Sequence, residues 1–206
     1  MALQTATMTA AYSVGGVAFT ATVEKTAEGG SSQVVPLPAA VVGTISALGV
    51  DNLATGHGIA AAATIDVHWV DVTDGVTRRV RRGLLVDTST ANDITFDETP
   101  AGVGDTLPAP TTVCWVAVQV IIDVDFDGDL IEMLAQKSDV VCQMDIRDAT
   151  TSLKSMVLPA KEGWSYIKNY GYANPFAVKV IDKIVVTNGG ITVGTYQFGL
   201  LYQSVS

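Results

Sequence analysis

Ile65-Asp66-Val67-His68-Trp69-Val70-Asp71-Val72, followed by Thr73-Asp74-Gly75 and a second run over 76–86, is the clearest alternation in the chain. Ile65, Val67 and Trp69 fall on one side of an extended backbone, Asp66 and His68 on the other, the period of two that a half-buried strand requires. An Asp-Gly pair between two such runs supplies the positive φ of a tight connection, so residues 65–72 and 76–86 are predicted to pair as an antiparallel hairpin.

The same pattern extends outward in both directions. Gly15-Gly16 separates the runs 10–14 and 17–23, and Asn188-Gly189-Gly190 separates 178–187 from 191–202, so a hairpin is predicted at each end. Pro36 and Pro38 interrupt the apolar stretch 34–42, which suits an edge strand because proline cannot donate to a ladder. Residues 48–63 are small and glycine-rich and read as a loop feeding a strand. Residues 113–126 are almost continuously apolar up to Asp123, as in a strand covered on both faces. Further strands are expected over 140–146, 152–158 and 164–167. Residues 87–110 turn polar and rich in Pro and Gly, with one short strand at 94–96, and read as a long loop or contact arm. No long stretch repeats apolar residues at the helical spacing between a cap and a stop. About a dozen short strands with turn signals between them indicate an all-β, antiparallel β-sandwich, jelly-roll-like, as a single domain over 1–206 with a long loop excursion.

Composition bounds the function. The chain has 206 residues, 48% of them hydrophobic and 16% charged, and a formal net charge of -9. The mean hydropathy is +0.34 and the pI about 4.5. So apolar a chain is expected to place some of its excess in subunit contacts. The acidic balance argues against a general nucleic-acid binder, whose phosphate affinity needs clustered Lys and Arg. No run approaches the roughly 18 apolar residues of a membrane helix, and the start lacks the basic flank and apolar centre of a secretion signal. Cys114 and Cys142 lie in apolar, strand-like surroundings and are expected to be buried free thiols.

Four features are candidates for a site. Asp123-Val-Asp125-Phe-Asp127-Gly-Asp129 resembles the first half of a calcium loop, with carboxylates at alternate positions and glycine at the turn. The closing position of such a loop is Leu134 here, with Glu132 two residues short, so the competing reading is a strand with three Asp on its polar face. Calcium is the one cofactor suggested. Arg78, Arg79, Arg81 and Arg82 place four of the twelve basic residues within five positions. On a strand Arg78 and Arg82 face one way and Arg79 and Arg81 the other, which suits pairing between subunits, with the Asp-rich stretch as counterpart. Trp164, Tyr166, Tyr170, Tyr172 and Phe176 form an aromatic cluster expected in core and interface. His57 and His68, the two histidines, have no nucleophile in a recognisable motif beside them.

Ile122-Asp123-Val124, Leu158-Pro-Ala-Lys-Glu-Gly-Trp164, Ala173-Asn-Pro-Phe176 and Ile184-Val-Val-Thr-Asn188 together carry a resemblance over 118–202. The stretch resembles small all-β virion proteins of tailed bacteriophages, of the capsid-decorating or head-associated kind, in which a sandwich closes with a strand-turn-strand after an Asn-Pro corner. The resemblance implies a structural, oligomeric, non-enzymatic protein made in the host cytoplasm and carried in the virion, with itself and other virion proteins as partners. The competing functions are a carbohydrate-binding β-sandwich that uses the Tyr/Trp cluster, with calcium as an optional aid, and a hydrolase built around His57 or His68.

Overall fold

In the computed structural model, which describes residues 4–14, 17–27, 29–97, 103–148, 151–167, 174–177 and 179–203, the period-two runs become sixteen strands. In chain order they are β1 (Gln4–Val14), β2 (Val17–Ala27), β3 (Gly29–Leu37), β4 (Val41–Ile45), β5 (Gly49–Asp51), β6 (Thr64–Val70), β7 (Arg78–Ser89) and β8 (Ile94–Asp97). There follow β9 (Val103–Gly104), β10 (Val113–Asp127), β11 (Ile131–Ser138), β12 (Cys142–Asp148), β13 (Thr151–Leu158), β14 (Gly163–Ile167), β15 (Val180–Thr187) and β16 (Gly194–Tyr202). A single 3-10 turn, Gly128–Leu130, is the only helical element among the described residues. Every strand pair is antiparallel.

The long strand β10 organises the molecule. Its first half pairs with β4 on one edge and with β6 on the other. Because β4, β5, β8, β7 and β6 are joined in that order, the pairing of β6 back to β10 closes a six-stranded ring. Ile65, Val67 and Trp69 point into that ring, where they meet Leu84, Val86, Ile94, Cys114 and Val116. The second half of β10 leaves the ring and pairs with β15, which continues through β12 to β13. This wing stacks on a separate sheet, β14-β11-β16-β3, and the two close a sandwich over Ile122, Met144, Ile146, Ile184 and Val186 on one side and Leu134, Tyr196, Phe198 and Leu200 on the other. Each such buried aliphatic or aromatic side chain contributes about 1.5–3 kcal/mol relative to exposure, so these two cores hold the fold together. The same face of β10 serves both: Cys114 and Val116 line the ring, Ile122 the sandwich.

The hairpin predicted at 65–86 is present, with His68 opposite Val80 and Trp69 opposite Arg79. Its turn is closed by Asp71 N–H donating to Thr77 O at 2.8 Å and Gly75 N–H to Asp71 O at 2.8 Å. The register slips between Ile65 and Val67, where Arg82 and Gly83 together oppose Asp66. Gly83 takes φ +68° in this bulge, a left-handed conformation that glycine adopts without a Cβ penalty. The N-terminal hairpin is also present, β1 and β2 pairing in unbroken register from Gln4↔Ala27 to Val14↔Val17, while its Gly15-Gly16 turn lies outside the described residues. β3, the strand carrying Pro36, is the edge of its sheet.

Two expectations need correction. The C-terminal runs do not form a hairpin: β15 pairs with β10 and β12, β16 with β11 and β3, and Asn188-Gly189-Gly190 carries the chain from one layer of the sandwich to the other. Asn188, 2% exposed, holds this arch by donating to Pro38 O at 3.2 Å and Thr192 O at 2.7 Å and accepting from Gly190 N–H at 2.9 Å. The strand read as covered on both faces is so only in its first half. From Ile121 onward β10 alternates, with Ile121, Asp123, Asp125 and Asp127 exposed and Ile122 buried. Within the polar stretch 87–110, β8 completes the ring between β5 and β7, and β9 lies against Arg81 and Arg82.

Candidate functional site

The four arginines sit where the ring meets the sandwich. Cross-strand partners share a face in an antiparallel pair, so Arg79 and Arg81 lie on the side of Trp69 and Val67, and Arg78 on the side of Val70. The division by face read from the alternation is therefore the division in the fold. Arg79 is engaged within the hairpin, 3.0 Å from Asp71 and 3.4 Å from Asp105. At 43% side-chain exposure of Arg79 these pairs are screened by solvent and hold the side chain in place more than they stabilise the fold. Arg78 lies over the Trp115 ring, its Cζ 5.9 Å from the centroid, a cation–π placement that fixes the side chain.

Arg78, Arg79 and Arg82 border a cleft of about 710 Å³ between the β6–β7 hairpin and the sandwich. His68 lines the same wall; Val140, Val141, Val157 and the Asn188-Gly189-Gly190 arch line the other side. The His68 Nε2 is buried and has no hydrogen-bond partner among the described residues. Burial holds its pKa below the usual value; Asp66 opposes that shift, and Arg82 and Arg78 reinforce it. Below His68 lies a buried polar knot: Asp66, 1% exposed, accepts from Gln119 Nε2 at 2.7 Å and from Gly83 N–H at 3.0 Å. Asp66 was legible as an outward-facing residue. Its burial was not, because the cover comes from Gln119, distant in sequence.

The Asp-rich stretch is strand up to Asp127, and the 3-10 turn begins at Gly128. Asp123, Asp125 and Asp127 stand at alternate positions along one exposed face, in line and not around a loop. Asp123 opposes Lys183 across β15. Asp129 belongs to the 3-10 turn. Among the described residues no group of three His, Cys, Asp or Glu side chains is placed to hold a metal ion. The Arg hairpin and this acidic face make no ion pair with each other within the described chain.

Two of the aromatic residues, Tyr166 and Phe176, are core. Tyr166 is 5% and Phe176 0% exposed, with Phe176 edge-on to Trp164 at 6.2 Å and to Tyr166 at 6.0 Å between centroids. Trp164 is half-buried at the border of the sandwich, with Lys154 Nζ 6.0 Å from its ring centroid. Their assignment to a contact surface is corrected for Tyr166 and Phe176, whose rings have no accessible face to offer. Tyr170 and Tyr172 lie outside the described residues. His57 is held in a loop, its Nε2 3.0 Å from Thr90 O and its Nδ1 accepting from Ile59 N–H at 3.0 Å, far in the chain from the Arg cleft. Cys114 and Cys142 are both buried, and burial pushes the Cys114 thiol up to about 12.

A feature that residue-type reasoning did not single out is the setting of the first hairpin. β1 and β2 form a two-stranded sheet that joins neither of the others. Its base rests on the sandwich through Ala27 against Met133 and Leu201, and Lys25 Nζ lies 3.6 Å from Glu132. Beside it the outer face of the four-stranded sheet carries a cross-strand row of small residues, Ser165-Ala135-Gly199-Ser32, which floors a groove of about 1070 Å³ with Thr9 on its rim. Comparison of the chain with protein-family models, with curated proteins and with solved structures finds no match.

Proposed function

We propose that this chain is a non-enzymatic structural subunit of a virus particle, of the capsid or head-associated kind in tailed bacteriophages, that acts by assembling with itself and with other virion proteins. The observation that carries the reading is the β1–β2 hairpin. Eleven consecutive residue pairs form a ladder that, among the described residues, belongs to no larger sheet. A lone two-stranded hairpin is at best marginally stable in water, so a ladder of this length is best explained as a contact arm completed by a neighbouring subunit. The exposure of large apolar side chains supports it: Val34, Leu48, Val72, Val76, Val103, Val157, Ile191 and Val193 are each at least 60% exposed. Repeated, they suit a lattice better than a free monomer. The virion assignment draws in addition on the resemblance over 118–202.

The test is the solution mass of the full chain by light scattering across a concentration series, paired with hydrogen exchange over residues 4–27. A closed oligomer, with hairpin amides that gain protection as it forms, is the expected result. A monomer at the highest concentration reached, with hairpin amides that exchange at the same rate throughout, refutes self-assembly. Repeating the series with a chelator tests whether a cation held by Asp123, Asp125 and Asp127 contributes.

A further inference from the structure

We infer that the cleft between the β6–β7 hairpin and the sandwich is a binding site for an oxyanion, the carboxylate or phosphate group of a ligand, gripped by Arg78 and Arg82. The inference is independent of the assembly reading. Register places His68 opposite Val80, midway between the two arginines, and both of their charges act on its ring. The guanidiniums therefore converge on one wall of the cleft. Neither has a carboxylate within ion-pair distance among the described residues.

The nearby acids are already committed. Asp66 is bonded to Gln119 and Gly83; Asp139, across the cleft, accepts from Thr195 N–H at 2.6 Å and from Thr195 Oγ1 at 3.0 Å. Arg79, next to Arg78 in the chain, also borders the cleft but is paired with Asp71 and Asp105. Bonds from neutral donors leave the Asp66 and Asp139 charges in place, so the grip rests on the directed guanidinium donors of Arg78 and Arg82 in a concave setting, whose low-dielectric walls strengthen each contact. Charge-assisted, forked hydrogen bonds from arginine are the strongest that a side chain offers a carboxylate or phosphate. The opposite wall is mixed, Asp139 and Gln143 lying beside Val141 at 55% and Val157 at 60% exposure, and its two valines suit the stem that carries the anionic group.

Two histidines make the test direct. Imidazole 15N resonances of the full chain are followed at constant pH and ionic strength while chloride is replaced by inorganic phosphate or, separately, by succinate. The expected result is a saturable change at His68 with none at His57, and the anion that binds more tightly identifies the source of the group. Arg78→Gln and Arg82→Gln should each weaken binding by about tenfold or more, the loss of one charge-assisted contact. Arg82→Lys, which keeps the charge and loses the fork, should fall between. Arg79→Gln, whose charge is already paired with Asp71 and Asp105, should weaken binding less than Arg78→Gln or Arg82→Gln. An unchanged His57 resonance verifies the fold of each variant. No response at His68 to either anion, a response that does not saturate or is shared by His57, or a saturable response that survives Arg78→Gln and Arg82→Gln overturns the inference.

Discussion

Replacing Asp66 by alanine tests whether the junction between ring and sandwich is held by its buried polar knot. The carboxylate is 1% exposed, and one of its oxygens receives both the Gln119 amide at 2.7 Å and the Gly83 N–H at 3.0 Å. Alanine leaves both donors without an acceptor, at about 1–3 kcal/mol for each that stays buried. The Gly83 N–H is fixed by the bulge and cannot turn to water. Gln119 can partly reorient, and removal of a buried charge offsets part of the loss. The expected cost is thus about 2–4 kcal/mol, or roughly 4–16 °C in Tm for a chain of this size. Asp66→Asn keeps an acceptor oxygen in place and should cost under about 1 kcal/mol. Urea unfolding of the parent and both variants, with a Gln119→Ala cycle to isolate the pair, measures these differences. An Asp66→Ala loss below about 0.5 kcal/mol, the scale of an ordinary surface change, would refute the reasoning. So would an Asn variant as damaged as the Ala one, since the argument rests on the acceptor and not on the charge.

Gly83→Ala should cost about 1–2 kcal/mol in urea unfolding, from the left-handed φ of +68° alone, because a Cβ there meets nothing within 4 Å; a neutral result would show that the bulge is not a fixed feature. Asp74 is held at about 2, chiefly by the Thr77 hydroxyl and then by the Val76 and Thr77 amides, against a usual 3.8. A depressed carboxylate favours the folded state above the unfolded value and loses that effect as pH falls through the folded one. The stability gap between the parent and Asp74→Asn should therefore be full above pH 3.8 and shrink toward pH 2, and a gap constant over that window would contradict the turn geometry. Neither cysteine should react with iodoacetamide at pH 8 in the folded protein, since Cys114 and Cys142 are 0% and 1% exposed and burial raises both thiols; labelling at the rate of a free thiol would place one at the surface.

What could be read in the residues divides along the reach of the interactions. The β6–β7 and β1–β2 hairpins were legible because alternation and a glycine turn are local properties. So was the edge position of β3, since Pro36 removes a ladder donor wherever it stands. The closing of the ring was not, because nothing near β6 announces that its second partner is β10, some fifty residues on. The Asn188-Gly189-Gly190 turn shows the limit most clearly. Its residues permit a hairpin or an arch equally. Asn188 Nδ2 bonds Pro38 O, 150 positions away, and that contact belongs to the arch, with β15 and β16 delivered to opposite layers.

The same distinction governs the candidate sites. Alternation separated Arg78 from Arg79, and of the two only Arg79 lies within ion-pair distance of a carboxylate among the described residues, Asp71 and Asp105. Alternation could not say which face of Trp164 and Tyr166 turns inward; that depends on Phe176, brought across from the loop before β15. Nor could it show that Asp66 is buried. A polar residue on the outer face of a ring strand should be wet, and this one is dry because β10 runs on past the ring and carries Gln119 over it. One long strand shared by two cores therefore both joins the halves of the molecule and confines charge at their seam. Arg78 and Arg82, which have no ion pair among the described residues, sit at the mouth of that seam, while the acid beneath them is bonded within the fold.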